Sequence, residues 1–281
     1  MRYGWPHLKG EGCRNDRRAL WSYRGSMRIG WTMSLVALIV TACGPGLVGE
    51  VNIAVESSSF TEPVTRIVFD LSSGDVSLRP AQGTAVELTR ELHWRGDKPP
   101  SYTETREGQT LRVFYKCVTI NCWIDYEVRV PENVEVDVKA SSGDVQVNGM
   151  AAPVRVDLSS GDVRLTNVKG TVSVKTSSGD VSGTDIAAGR VDVTTTSGDV
   201  NLDFSAAPQS VTAHVTSGDI TMLVPPDKEP YRVDAQTTSG DQKITIDRSQ
   251  SATRRIEANT TSGDVRIGYG RARSGGTPSP T

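Results

Sequence analysis

Aromatic side chains are scarce in this chain: four Phe, seven Tyr and five Trp among 281 residues. A core built around large rings is disfavoured, and small branched side chains must fill it instead. Histidine is scarcer still. Only His93 and His214 lie beyond residue 42, and neither sits in a dyad or a metal-ligand motif. No glycine-rich nucleotide loop and no nucleophile elbow occurs. A polysaccharide-cleaving β-helix would need a unique cluster of acids and bases, whereas the acids here recur identically along the chain. The sequence therefore reads as non-catalytic. Long apolar runs are missing too: Trp31 to Val40 is too short to span a bilayer comfortably.

What the chain has is a repeat. Ser-Gly-Asp occurs eight times, with its serine at Ser73, Ser142, Ser160, Ser178, Ser197, Ser217, Ser239 and Ser262. After a first gap of 69 residues the steps are 18, 18, 19, 20, 22 and 23. A period near 20 is the signature of stacked repeats. With the serine as position 0, position −6 is Ile67, Val136, Val154, Val172, Val191, Val211, Val233 and Ile256. Position +3 is apolar in seven copies, with Gln242 the exception. Positions −5, −3 and +4 are mostly polar, as Arg155, Asp157 and Arg164 are. Alternation with period two, rich in Val and Thr, marks half-buried strands.

The alternation changes phase across the motif. Positions −6, −4 and −2 face inward before it, and +3 and +5 after it. Five residues separate −2 from +3, so a straight strand cannot bury both sets. The chain must turn a corner at Ser-Gly-Asp, where Gly supplies backbone freedom and Asp can bond a nearby N–H. Each repeat is then one coil, and the fold class expected is all-β: a parallel β-solenoid of 18 to 23 residues per coil with an irregular N-terminal capping region. An antiparallel sandwich of the same strands is the competing fold.

Met27, Arg28, the apolar run and Val40-Thr41-Ala42-Cys43 together form a compact export signal resembling a bacterial lipobox, with Val at −3 where Leu is commoner. Lipid on Cys43 would anchor the chain; a chance Cys after an ordinary signal peptide is the alternative. Residues 1–42 hold seven Lys/Arg and two acids, so without them the net charge falls to about −7. That balance leaves no basic patch for nucleic acid. Outside the cytoplasm Cys117 and Cys122 should form a disulfide, closing a hairpin. The organisation expected is residues 1–26, ahead of the true start; 27–42, signal peptide; 43–57, lipidated Cys, tether and first strand; 58–133, irregular cap with the disulfide hairpin; 134–270, regular solenoid; and 271–281, a disordered tail.

The run Asp125 to Pro131 (Asp-Tyr-Glu-Val-Arg-Val-Pro), followed by Val-Lys-Ala-Ser-Ser-Gly-Asp-Val and its repeats, resembles the bacterial putative-adhesin family of repeated β-strand envelope proteins. The resemblance covers about residues 51–269. It implies the fold and an envelope setting, and it permits an envelope-stress role.

The aspartates are the candidate site. Asp144, Asp162, Asp180, Asp199, Asp219, Asp241 and Asp264 are expected in one row at about 4.8 Å spacing, preceded in sequence by Asp75. Neighbouring charges at that distance repel by roughly 1 kcal/mol in water. Either backbone N–H donors in the turns or a shared cation, with calcium the natural candidate, must offset this. A Ser or Thr stands at −1 in every copy. The function these features point to is an exported, lipid-anchored surface protein that binds an envelope glycan or protein, for adhesion or as a scaffold. The alternative is a regulatory accessory lipoprotein acting on a membrane-protein partner.

Overall fold

The computed structural model describes residues 51–117 and 121–270; Cys43, the signal segment and the tail expected over residues 271–281 lie outside them. Among the described residues there is no helix. The first part forms β1 (Asn52–Phe60), β2 (Arg66–Ser73), β3 (Val76–Pro80), β4 (Val86–Trp94), β5 (Tyr102–Glu107), β6 (Thr110–Tyr115) and β7 (Cys122–Val130). Pairs of strands then follow, one pair per motif: β8 (Glu135–Ser142) and β9 (Val145–Asn148), β10 (Val154–Ser160) and β11 (Val163–Thr166), β12 (Val172–Ser178) and β13 (Val181–Ile186), β14 (Arg190–Ser197) and β15 (Val200–Phe204). The last three pairs are β16 (Ser210–Ser217) and β17 (Ile220–Val224), β18 (Tyr231–Ser239) and β19 (Gln242–Ile244), β20 (Arg254–Ser262) and β21 (Val265–Tyr269).

In each pair the first strand ends at the motif serine and joins one sheet, while the second starts just after the aspartate and joins the other. The ten-stranded sheet runs β18-β20-β16-β14-β12-β10-β8-β2-β6-β5, and the eleven-stranded sheet runs β1-β4-β7-β3-β9-β11-β13-β15-β17-β21-β19. Pairing between coils is parallel and in register, as in Val154↔Val172 and Val163↔Val181. The fold is thus a flattened two-sheet β-solenoid. Columns of Val, Ile and Leu from both sheets meet between them, and Val136, Val156, Val174, Val193, Val145, Val163 and Val181 are all buried.

Glycine at the corner is a steric necessity. Gly161 has φ of 139°, and a Cβ built on it would lie 2.0 Å from the Gly143 carbonyl oxygen of the adjoining coil. The corners stack that closely because Gly143 N–H donates to Ser160 O and Val145 N–H to Asp162 O, at 3.1 and 2.9 Å.

Three features depart from the sequence reading. First, β6 and β7 do not pair with each other; β6 lies between β2 and β5, and β7 between β3 and β4. The Cys117–Cys122 disulfide therefore spans a corner between the sheets, not a hairpin. Second, β6 and β7 themselves make a ninth rung. Leu111, Val113 and Tyr115 sit beside Ile67, Phe69 and Leu71, and Tyr126 sits beside Val76. Trp123-Ile124 stands in the place of Ser-Gly in that rung, and the Ile124 carbonyl lies 2.0 Å from a Cβ built on Gly74, as the Gly143 carbonyl does from one on Gly161. Third, the last two coils are out of order: β20 and β21 slot between β16–β17 and β18–β19.

Beyond the ninth rung, antiparallel β4, β1 and β5 close the N-terminal end. The space between the sheets turns polar there. Buried Arg90 donates to Ser58 at 3.0 Å, pairs with Glu104 and reaches Glu56 at 3.4 Å. Its guanidinium stacks 4.2 Å from the Tyr102 ring centre. Burial and the hydrogen bond to Glu56 push the Tyr102 phenol up to about 12. An apolar core exposed at its end would invite another chain, and this ion cluster closes it.

Candidate functional site: the aspartate corner

All eight motif aspartates stand in one row along the corner, and Asp125 joins them as a ninth. In space the row runs Asp125, Asp75, Asp144, Asp162, Asp180, Asp199, Asp219, Asp264, Asp241. The expected row began at Asp144 and followed the sequence; the real one begins two coils earlier and reverses its last two members, because the coils themselves do. Each link is the same bond. The backbone N–H of one aspartate donates to Oδ1 of the aspartate on the adjoining rung, at 2.8 to 3.0 Å. An N–H dipole aimed at each carboxylate but the last, Asp241, offsets the repulsion between neighbours.

Two arginines at position +4 reinforce the row. Arg164 bridges Oδ2 of Asp144 and of Asp162, both at 2.9 Å. Arg266 bridges Asp219, at 3.2 Å, and Asp264. Partial burial pushes the Asp144 carboxyl up, but the Asp162 N–H and Arg164 outweigh it and hold the group below the usual range. The Asp264 N–H, helped by Arg266, lowers Asp219 in the same way. One oxygen of every aspartate in the row but Asp241 is thus committed to a neighbour. Among the described residues no group of three or more His, Cys, Asp or Glu side chains is placed to hold a metal ion.

Beside the carboxylates run two columns of hydroxyls. From the second coil onward both are exposed: Ser141, Ser159, Ser177, Thr196, Thr216, Thr261 and Thr238 at −1, with the motif serines at 0. On the ten-stranded sheet's outer face, position −3 carries Asp70, Lys139, Asp157 and Lys175 on successive rungs, so opposite charges alternate across the strands.

The row starts in an open groove of about 500 Å³. Ser73, Asp75, Arg95, Asn121, Trp123 and Asp125 are among its walls. His93 stacks flat on Trp123, ring centres 4.5 Å apart, and points Nε2 at Asp125 Oδ2 from 3.3 Å. Burial raises the Asp125 pKa, against the pull of the Asp75 N–H and His93. The Tyr115 hydroxyl donates to the Cys122 carbonyl at 3.0 Å and fixes the base of the disulfide loop beside the groove. None of Asp125, His93, Trp123 and Arg95 was singled out from sequence as part of a site. The signal existed for one: Asp-Tyr-Glu-Val repeats the Asp-apolar-polar-apolar phase of Asp-Val-Gln-Val at Asp144. The other histidine, His214, is half exposed and lies 3.8 Å from Glu257.

Residues 64–278 match the family model described as Toastrack DUF4097, and the chain belongs to that family. No curated protein matches it. Among solved structures, a putative adhesin from Bacteroides fragilis is 14% identical over 76% of this chain and 96% of its own, with a TM-score of 0.45. A putative cell adhesion protein from Clostridium sporogenes is 12% identical over 79% of this chain and 100% of its own (TM-score 0.35). A putative adhesin from Parabacteroides merdae is 11% identical over 77% and 96% (TM-score 0.32).

Proposed function

We propose that this Toastrack protein is exported, anchored in the membrane by lipid on Cys43, and works there without catalysis as a rod that binds or scaffolds envelope material. In this reading residues 1–26 precede the true start, 27–42 are removed, 43–57 lead from the membrane into the first strand, and residues 58–133 supply two rungs and the cap that continue the solenoid of 134–270. More than one acyl chain on a single N-terminal Cys is adequate for stable anchoring.

The observation that carries the reading is the unbroken corner. Nine rungs at about 4.8 Å hold carboxylates in a fixed column over a length of roughly 38 Å, and eight of them hold the hydroxyl columns beside it. A side-chain array of that regularity, rigid because its backbone is hydrogen-bonded rung to rung, needs no ordering before it binds. It suits an extended polymer with many hydroxyl or amide groups, a glycan above all, contacted weakly at each rung and strongly in sum. The net negative charge disfavours anionic lipid and nucleic acid as the ligand.

The test is sedimentation of the chain, with Cys43→Ser so that no lipid holds it, together with purified cell-wall material and separately with membranes. Co-sedimentation with wall, reduced when exposed Thr196, Thr216 and Thr261 are replaced by Lys, supports the reading. Failure to bind wall overturns it. The groove at Asp125 favours a second reading, because it lies at the end of the rod from which the chain leads back to Cys43. There a regulatory lipoprotein would meet a membrane protein, and crosslinking in intact cells would then capture one discrete membrane partner in place of bulk wall.

A further inference from the structure

At the other end of the rod the outermost rung, β18 with β19, has no strand on its outer side; only Tyr231 is bridged there, its N–H donating to Asp247 O and its carbonyl accepting from Ser249 N, both at 3.0 Å, and the edge from Arg232 onward is open. β18 is nine residues long and contains no proline. Its inward side chains Val233 and Ala235, with Ile244 of β19, are only partly covered by the core. A long unpaired edge over half-covered apolar side chains is a template for another chain.

One side chain already stands where that chain would lie. An incoming strand, whichever way it runs, must take up the outward carbonyl of Ala235 and the outward N–H of Thr237. The Gln242 amide meets both groups. With its nitrogen turned to Ala235 O and its oxygen to Thr237 N, each contact is 3.2 Å. Position +3 is Val or Ile, and buried, in the seven other motif coils. Gln242 alone is polar there, and it stands on the one coil that has no outer neighbour.

We propose that the β18 edge is a docking surface for a second copy of this chain, and that Gln242 holds it shut. A second copy fits because the edge is complementary to itself about a two-fold axis. Set antiparallel to its own copy and centred on Ala235, β18 places Asp234 opposite Gln236 and Arg232 opposite Thr238. No like charges meet, and Val233 faces Thr237 on the core side. At the N-terminal end the edge strands β1 and β5 turn Glu56, Ser58 and Glu104 inward around Arg90, so no half-covered apolar side chains of the core lie beneath those polar positions.

The test is molar mass by light scattering on the full chain carrying Cys43→Ser, measured over a range of concentrations. The expected result is one copy for this parent and a concentration-dependent doubling for Gln242→Val. Gln242→Ala, which removes the amide without adding bulk, gives the same doubling and serves if the Val variant misfolds. Adding Ala235→Pro to either removes an N–H on the open side and returns the mass to one copy. The inference is overturned if both folded Gln242 variants stay single, if the parent is already double, or if Ala235→Pro leaves the doubled mass unchanged.

Discussion

Removing one carboxylate from the middle of the aspartate row separates the two ways such a row can hold together. Asp162 gives its N–H to Asp144 Oδ1 at 2.9 Å and takes the Asp180 N–H on its own Oδ1 at 3.0 Å. Asp162→Ala leaves the Asp180 N–H without its acceptor at a partly exposed corner, a loss of about 1–2 kcal/mol. Arg164 keeps its contact with Asp144. Asp162→Asn retains an oxygen in the same place and loses only an exposed ion pair, less than about 1 kcal/mol. For a domain of this size 1 kcal/mol moves the melting temperature by about 2–4 °C. Thermal unfolding at neutral pH should therefore show the Ala variant about 2–8 °C below the parent, and the Asn variant near it. Equal losses for Asn and Ala would refute the reasoning, since charge or a bound cation, not the acceptor, would then hold the corner. Acid gives a second check. Asp144 and Asp219 have folded pKa values below their unfolded ones, so their contribution is present above about pH 4 and fades as pH falls through the lowered folded value. The deficit of Asp219→Ala should accordingly be full at pH 7 and shrink toward pH 3, a trend read from urea unfolding at each pH.

Three other perturbations test the corner and the two ends of the cap. Gly161→Ala forces a Cβ to within 2.0 Å of the Gly143 carbonyl at a φ of 139°, and should cost more than about 2 kcal/mol in urea unfolding. Arg90→Ala strands Glu104 between the sheets without its cation; a loss of about 3–5 kcal/mol is expected by the same assay, and Arg90→Met with Glu104→Leu should recover most of it. Reducing the Cys117–Cys122 disulfide frees a six-residue loop, which by chain entropy amounts to about 2 kcal/mol. Melting with and without reductant should differ by about 4–8 °C, and by nothing in Cys117→Ser with Cys122→Ser.

The coil, its corner and its two inward columns were legible because each repeats eight times in the same phase. A single copy of Val-x-Val-x-x-x-Ser-Gly-Asp-Val would have meant little; eight copies with one shared break in alternation admit few other folds. The N-terminal end was less legible for the same reason. Arg90, Glu56 and Glu104 come from three strands and occur once each, so no pattern marks them as partners. Asp125 lacks the Ser-Gly that announces its neighbours, because Trp123-Ile124 stands in that place instead.

The order of the coils is the part that repetition itself conceals. Identical phase means that any coil can stack on any other: Val211 pairs with Ile256 in the observed order, and would meet Val233 in sequence order with the same alternation. Only departures from the repeat can choose between them. Coil β20–β21 offers Ile256, Ala258, Thr260, Val265 and Ile267, all buried between two neighbours. Coil β18–β19 offers Gln242 where the others have Val or Ile, and keeps Val233, Ala235 and Ile244 half covered. Placed inside, Gln242 would sink an amide into a column of Val with no partner in reach, a cost of roughly 1–3 kcal/mol. Placed outside, the same amide bonds the open edge. One polar residue in a column of eight therefore sends the chain past its nearest neighbour and back, and fixes which coil ends the rod.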